Sequence, residues 1–368
     1  MATLKFSLKY LCLSGLLSLC ILGCKDDDAS YFNGKITTVA FNKQVPLQGQ
    51  ELHLDSVYAG YMSVYDTLLT FASSAYPEHY LYVFGTNSGK LLGKLCPQGR
   101  GPGEYLNFTH TEQYSEEQDG IKLWVSDGVH SHILLNLTAS LRQGKEVRDS
   151  VLKLEGNKVS PHGFSLIFVL DNGQVLTRLQ CEKLYYQDRT YLPERYVLYA
   201  GDIQHEIETF RQFKKPVNNP NEIDPTVFYN LQARIKPDKS KLATAMRHLG
   251  QISILDIKNG TWQGFRIENA PGIPSLKSEM KDFNLYYTDI CTDDRYIYAL
   301  FVNKPVHESD RSSSTIHVFN WEGIPQYAIQ LAEPVLQIAV DPCHGKIYGK
   351  NGLEQVFCYT LPASDRTI

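Results

Sequence analysis

The chain has 368 residues, of which 43% are hydrophobic and 11% aromatic, and 23 of them are tyrosines. Its formal net charge of −4 gives no electrostatic case for binding nucleic acid, because nucleic-acid-binding proteins present strongly basic faces. Aromatic side chains suit the half-buried surfaces of pleated sheets, so the composition favours strands over helices.

The first 23 residues have the organisation of a secretory signal peptide. Two lysines precede an uncharged run of about thirteen residues, which is short for a membrane-spanning helix of about twenty. The run ends in Ile21-Leu22-Gly23-Cys24, which resembles the bacterial lipobox, whose cysteine is acylated and becomes the new N-terminus. Three fatty chains would make attachment to the membrane effectively permanent, at roughly 0.8 kcal/mol for each buried methylene. We therefore predict a lipid anchor at Cys24; the alternative is an ordinary signal peptide in which Cys24 has no role.

Charged residues follow the cysteine directly. Lys25, Asp26, Asp27 and Asp28 resemble the acidic export signal of Bacteroidetes lipoproteins, which implies display on the outer face of the outer membrane. The alternatives are an anchored protein that faces the periplasm and a charged tether without a signal. We expect residues 24–34 to form a flexible acidic tether and residues 35–368 to form a single domain.

A glycine-rich segment, Gly99-Arg-Gly-Pro-Gly-Glu-Tyr105, follows a candidate strand. Its glycines permit positive φ angles and close backbone approach, and Arg100 with Gly101, Gly103 and Glu104 forms a candidate ligand-binding loop. The segment lacks the Gly-Lys-Ser/Thr ending of the phosphate loop and the glycine spacing of the dinucleotide fingerprint. A structural connection between two sheets is the preferred interpretation, and ligand binding is the alternative.

Two histidines, His130 and His132, would share one face of a strand. A metal site would need a third ligand that no spacing identifies, so packed or exposed histidines are the preferred interpretation and no metal is predicted. Hydrolase and zinc-protease signatures are also missing from the sequence, and no cofactor is predicted. Acidic residues occur in candidate loops, for example Glu104, Asp127 and Asp294, without a spacing that joins them.

Several segments repeat one pattern of short strands and turns at a loose period of roughly fifty residues, which gives about six units. The clearest copies are Arg234–Met246 with Gln251–Arg266, and Ser314–Leu361; weaker copies start near residues 80, 122, 167 and 287. The segments lack the 3.6-residue periodicity of helical repeats. This pattern predicts an all-β propeller of four-stranded antiparallel blades, most simply six, and a β-sandwich is the alternative.

Five cysteines belong to the predicted mature domain, so at least one thiol is free. Cys343 and Cys358 are the only close pair and are candidates for a disulfide. Buried, unpaired thiols are the preferred interpretation.

The units Lys236-Pro-Asp-Lys-Ser-Lys-Leu-Ala243 and Asp256-Ile-Lys-Asn-Gly260 resemble TolB-type blades. Together with the lipobox, the Gly99–Tyr105 segment is similar to the Gly-Arg-Gly-Pro-Gly-Glu-Phe segment of the TolB-like six-bladed propeller lipoproteins of Bacteroides. The resemblance extends over nearly the whole chain and implies a propeller in the envelope. The chain departs from it at Lys239, where the family has glycine, and in the long third unit, residues 157–211.

The resemblance leaves the activity open. We expect a binding or scaffold protein whose propeller face contacts a protein or a glycan, attached to the membrane through its lipid, with no nucleic acid as partner. The alternative is a propeller enzyme, such as a metal-dependent lactonase-like hydrolase or a lyase, acting at the channel mouth. Three convergent Asp, Glu, Asn or His side chains in the channel would count against a simple scaffold.

Overall fold

The computed structural model describes residues 28–56, 59–128, 131–153, 164–179, 195–201, 205–214, 231–273, 284–308 and 311–362. The predicted signal peptide, Cys24, residues 25–27, His130 and Cys181 lie outside these residues. The described chain contains one α-helix, α1 (Leu137–Gln143), and no helix in it is long and apolar enough to cross a membrane.

The strands are numbered in chain order, and consecutive groups of them form blades. The three N-terminal strands are β1 (Gly34–Val39), β2 (Gln44–Leu47) and β3 (Gln50–Leu52). Blade 1 comprises β4 (Tyr61–Tyr65), β5 (Leu68–Ala72), β6 (His79–Gly85) and β7 (Leu91–Pro97). Blade 2 comprises β8 (Thr109–Glu117), β9 (Gly120–Asp127), β10 (Ser131–Asn136) and β11 (Arg148–Lys153). Blade 3 comprises β12 (Phe164–Val169), β13 (Val175–Leu179), β14 (Arg195–Tyr199) and β15 (Glu206–Arg211). Blade 4 comprises β16 (Leu231–Ile235), β17 (Lys241–Met246), β18 (Gln251–Asp256) and β19 (Thr261–Ile267). Blade 5 comprises β20 (Asn284–Thr292), β21 (Tyr296–Pro305), β22 (Ser313–Asn320) and β23 (Pro325–Val335). Blade 6 contains β24 (Gln337–Asp341), β25 (Lys346–Lys350) and β26 (Val356–Thr360).

These sheets form a six-bladed β-propeller, so the predicted fold is confirmed and the β-sandwich alternative is wrong. Four strands of each blade pair antiparallel, and apolar clusters fill the space between neighbouring blades. The blades need this stacking because a single sheet of four strands cannot bury both of its faces. Two blades carry a fifth strand that the repeat pattern did not predict: β1 pairs parallel to β19, and β2 pairs parallel to β23.

The N-terminal segment closes the ring. Blade 6 has only three strands from the C-terminal part of the chain, and β3 supplies the fourth by pairing antiparallel with β26, with Leu52 opposite Val356. Residues 28–52 thus run along the rim of blades 4, 5 and 6, and we call them the N-terminal strap. Each strap strand covers backbone groups at a sheet edge that would otherwise lack partners.

The strap begins earlier than the predicted tether allows. Asp28–Ser30 form a turn of 3₁₀ helix, and Tyr31 and Phe32 are fully buried in the cluster between blades 3 and 4. The Phe32 ring lies edge-on to Phe213, with 6.0 Å between centroids. The prediction of a flexible tether was therefore wrong for residues 28–34, because two large aromatic side chains anchor that stretch to the core. A tether over residues 24–27 stays a prediction.

The cysteines follow the preferred interpretation in part. Cys96 and Cys291 are buried free thiols. Cys343 and Cys358 are also free, so the candidate disulfide between them is not formed, and Cys343 is exposed.

The direction of the inner strands defines two faces of the ring. The first strand of each blade (β4, β8, β12, β16, β20 and β24) lies innermost, next to the central channel, and each of these strands starts at the same end of the channel. Counting outward from it, the connection between the second and third strands of each blade lies at that end too. We call this end the mouth face. The turns between the first and second strands, and between the third and fourth strands, lie at the opposite face.

Candidate functional site

Polar side chains from inner strands of four blades meet inside the channel. They are Tyr61 on β4, His110 and Glu112 on β8, Arg234 on β16 and Asp289 on β20, and we call them the channel cluster. Charged residues are rare in such positions unless they are paired, so each side chain needs a partner or a function.

An ion pair crosses the channel between blades that are not neighbours. Arg234 Nη2 lies 2.5 Å from Glu112 Oε1, and the two side chains are 6% and 11% exposed. The Tyr61 hydroxyl donates to the same Glu112 oxygen, and the Arg234 guanidinium carbon lies 5.6 Å from the centre of the Tyr61 ring. The second oxygen, Oε2, has no hydrogen-bond partner among the described residues, so it is available to a ligand.

The backbone of β8 is irregular where it presents Glu112. The strand register shifts between His110 and Tyr114, and Glu112 has a φ of 56°, in the left-handed region that non-glycine residues rarely adopt. From this irregular position, the Glu112 carboxyl contacts Tyr61 and Arg234 in the channel. Strained backbone of this kind is concentrated at functional sites.

Asp289 is the second acid of the channel cluster. Its carboxylate accepts hydrogen bonds from the Ile338 amide and from the Ile290 amide, both at 2.9 Å. Burial raises its pKa to about 6, against the opposing charge of Arg234 and those amides. Burial, followed by the charge of Asp289, raises the pKa of the Glu112 carboxyl well above its ordinary range, and the Arg234 guanidinium favours its ionised form.

Two buried donors of the channel cluster have no partner among the described residues. The Glu112 amide donates to His110 Nδ1 at 3.3 Å, and burial lowers the pKa of His110 to about 4, so the ring is neutral near pH 7. A neutral ring whose Nδ1 accepts carries its hydrogen on Nε2. That nitrogen and Arg234 Nε are both buried without a hydrogen-bond partner in the described part of the chain. Two donors therefore border the Tyr61 ring without an acceptor.

Arginines lie above the channel cluster at the mouth face. Arg247 follows the last residue of β17, and Arg311 precedes β22, so both belong to mouth-face connections of the neighbouring blades 4 and 5. We call them the mouth arginines. Burial, and then the charge of Arg311, lowers the pKa of Arg247, whereas Asp289 raises it. Within the described part of the chain, neither guanidinium has a carboxylate within salt-bridge distance.

We expect the stability of the protein to respond to pH through Asp289. The folded carboxyl holds its proton up to about pH 6, whereas an unfolded aspartate has a pKa of about 3.9, so stability falls as pH rises through this window. A shift of roughly two units corresponds to about 3 kcal/mol. Between pH 4 and pH 7, urea unfolding should show Asp289→Asn gaining about this much stability relative to the wild type. Asp171→Asn, at an exposed site, is the control, and a pH-independent difference between wild type and Asp289→Asn would contradict the expectation.

The glycine-rich segment lies apart from the channel cluster. It joins β7 to β8, as expected for a connection between blades. Glu104 Oε2 accepts a hydrogen bond from the Gly101 amide at 2.6 Å, and Arg148 donates to the Gly103 carbonyl at 2.6 Å. Arg100 is exposed. A ligand-binding role for Arg100, Gly101, Gly103 and Glu104 stays a prediction.

Two of the other sequence candidates, His132 and Asp127, have structural partners. His132 is fully buried, stacks on Trp124 with 4.9 Å between ring centres, and shares a hydrogen bond with Ser126. Asp127 accepts from the amide of Leu106 at 2.8 Å, and Asp294 is exposed. In the described ranges, no group of three or more His, Cys, Asp or Glu side chains could hold a metal ion.

No residue of the channel cluster was predicted from the sequence as part of a site. A weak signal was present, because Glu112, Arg234 and Asp289 are charged residues whose immediate neighbours in sequence are apolar or uncharged. Only Arg234 and Asp289 lay in predicted strands. The cluster brings two carboxylates and a histidine together in the channel, which is the convergence that we set against a simple scaffold.

Comparison with known proteins supports the fold. No protein-family model matches the chain, and no curated protein matches its sequence. A solved structure from Bacteroides fragilis, of a protein whose name describes it as exported, is 12% identical, with a TM-score of 0.52 over 89% of this chain and 98% of that one. Hydrazine synthase of Kuenenia stuttgartiensis is 9% identical, with a TM-score of 0.47 over 83% of this chain and 84% of that one. At such identities the first similarity shows the propeller fold alone.

Proposed function

We propose that this chain is a lipid-anchored envelope protein that binds a carboxylate-bearing ligand in its propeller channel. The observation that carries the proposal is the pair of buried, unpartnered donors on His110 and Arg234 beside Tyr61. A buried donor without an acceptor costs roughly 1–3 kcal/mol, so a ligand that supplies the acceptor is favoured.

Charge favours an anion over a neutral acceptor. Arg234 and the two mouth arginines outnumber Glu112 and Asp289, so these five groups together carry a net charge of at least +1 in either protonation state of the acids. Guanidinium groups bind carboxylates through short, charge-assisted hydrogen bonds. A single carboxylate is enough to neutralise the excess charge when both acids are ionised.

The N-terminal residues support an envelope location. The lipobox at Cys24, followed by Lys25 and the aspartates up to Asp28, is the basis for a lipid anchor and for display at the surface of the outer membrane. The name of the Bacteroides fragilis protein with a similar fold is consistent with a location outside the cytoplasm. A periplasm-facing orientation is the alternative.

Binding of a matched pair of sugars tests the proposal. By calorimetry, glucuronate is expected to bind and methyl glucoside, which lacks the carboxylate, is not. Arg247→Gln should weaken glucuronate binding about tenfold, the equivalent of 1.4 kcal/mol, because it removes a charge without breaking an ion pair of the described residues. N-acetylglutamate, tested alongside, separates recognition of an acidic sugar from recognition of any carboxylate.

The control variant is Arg100→Gln, which removes the arginine of the glycine-rich segment. Unchanged affinity in this variant agrees with a site in the channel. If Arg100→Gln abolishes binding and Arg247→Gln does not, the ligand lies at the glycine-rich segment. Equal binding of methyl glucoside, or binding of neither acid, would show that the proposed ligand class is wrong.

The second candidate function is a lyase or hydrolase that acts on an acidic saccharide. It is favoured by the free Oε2 of Glu112 and by the raised pKa of that carboxyl, which suit a general acid or base. Incubation with oligogalacturonate, monitored for unsaturated or shortened products, separates the two functions. Product formed by the wild type and lost in Glu112→Gln would identify an enzyme, whereas binding without product agrees with the first proposal.

A further inference from the structure

The N-terminal strap enters the folded domain at the mouth face. Asp28, its first described residue, accepts a hydrogen bond from the Ile273 amide at 2.7 Å and forms an ion pair with Arg266. Arg266 lies at the mouth-face end of β19, and Ile273 lies in the connection that leaves β19 at that face. Lys214, which follows β15 at the same face, donates to the Ala29 carbonyl at 2.9 Å. These contacts fix the start of the strap at the mouth-face rim of blades 3 and 4.

The predicted attachment point is only four residues away. An extended chain spans at most about 3.6 Å per residue, so the Cys24 backbone lies within about 14 Å of Asp28. Blade 4 is taller than this, because the six residues from Thr261 to Arg266 span about 17 Å along β19, five steps of about 3.4 Å each. If the opposite face rested on a bilayer, Asp28 would lie beyond the reach of its own anchor.

We infer that the lipid anchor holds the mouth face against the bilayer, so that the channel opens towards the membrane surface. The inference rests on the anchor at Cys24, which is part of the proposed function, and it adds an orientation that the anchor alone does not give. The ligand would then reach the channel cluster through the gap between the disc and the lipid headgroups.

The chemistry of the mouth face suits a phospholipid surface. Leu353 is 77% exposed, Leu106 is 50% exposed and Val306 is 36% exposed, and all three lie in mouth-face connections. The corresponding exposed apolar residue of the described connections at the opposite face is Ile324. Exposed apolar side chains insert into the headgroup boundary, and anionic lipid attracts basic residues near its surface, where Arg311 is placed.

Energy transfer to a membrane dye tests the orientation. The full-length acylated protein is reconstituted into vesicles of phosphatidylethanolamine and phosphatidylglycerol that contain a lipid-linked acceptor. A donor dye is placed either on the natural thiol of Cys343, at the opposite face of blade 6, or on Leu353→Cys in a Cys343→Ser background, at the mouth face of the same blade. Both proteins carry Cys358→Ala, so that each has one accessible thiol in the described chain.

Transfer from residue 353 is expected to be about twofold or more higher than transfer from residue 343, since roughly 17 Å of blade separates them. Equal transfer would show an unoriented protein, higher transfer from residue 343 would show the opposite orientation, and weak transfer from both would show a disc standing on its rim. Each of these outcomes overturns the inference.

Two controls separate the orientation from the anchor. Cys24→Ser is expected to abolish flotation with vesicles, and flotation that survives it would contradict the lipid anchor rather than the orientation alone. A flexible glycine-serine insertion of about fifteen residues before Asp28 keeps the anchor but lengthens its reach to several tens of ångströms. We expect the insertion to preserve flotation and to reduce the difference between the two dye positions.

Discussion

Arg234→Met is expected to destabilise the protein by about 1–3 kcal/mol, because it leaves the buried Glu112 carboxyl, which then takes up a proton, without its charged hydrogen-bond partner. Combining it with Glu112→Gln should recover part of this loss, since the amide needs no counter-charge at any pH. Urea unfolding at pH 7, with the same variants followed by thermal melting, measures both effects. The interaction energy from the four proteins isolates the ion pair.

Lys239→Met provides the matched control. Lys239 also pairs with a carboxylate at 2.5 Å, that of Asp171, but at the surface, where the side chains are 26% and 75% exposed. Surface ion pairs contribute roughly 0–1 kcal/mol, so this variant should be nearly as stable as the wild type. If Arg234→Met lowers the free energy of unfolding by no more than Lys239→Met does, then the burial of Glu112 does not depend on Arg234.

The blades were predictable because their signals are local. The turn at Pro237-Asp238 lies between β16 and β17, and Asn259-Gly260 lies between β18 and β19, as the spacing of apolar runs and turn residues indicated. Apart from the strap strands, each blade is one short stretch of chain, and its turns depend on residues next to one another in sequence. A repeat of about fifty residues then has few ways to bury its faces other than stacking around an axis.

The strap was not predictable from the same signals. β3 pairs with β26 at the other end of the chain, and nothing in the composition of Gln50–Leu52 specifies that partner. β1 and β2 are short and largely exposed, which is also what a tether predicts. For residues 28–34, the packing of Tyr31 and Phe32 distinguishes the strap from the predicted tether, and that packing depends on a cavity formed by blades 3 and 4.

The channel cluster escaped prediction for a related reason. Tyr61, Glu112, Arg234 and Asp289 come from different blades, and only closure of the ring brings them together. Their common feature, an inner-strand position, can be read from sequence once the blade boundaries are known. The bulge at Glu112 shifts even that register, so counting along the repeat does not place its side chain.

Deleting the whole strap is expected to have the largest effect on the fold. A chain that starts at residue 53 lacks β3, which leaves β26 with an unpaired edge and the ring without its closing contact. We expect this chain to show no cooperative unfolding transition. A chain that starts at Asp28 retains every described contact and should match the stability of the mature protein to within about 1 kcal/mol. Circular dichroism melting and size-exclusion chromatography distinguish the two results.

A third chain, starting at Gln44, separates closure of the ring from packing along its rim. It keeps β2 and β3 but loses β1 and the two fully buried side chains Tyr31 and Phe32, each of which should contribute about 3–5 kcal/mol if its cavity stays empty. We expect it to form the propeller with a clearly lowered melting temperature and a cooperative transition. If it is as unstructured as the chain that starts at residue 53, then the aromatic contacts between blades 3 and 4, and not the pairing of β3 with β26, hold the ring closed. If the chain that starts at residue 53 itself melts cooperatively, blade 6 is stable with three strands and closure of the ring does not require the strap.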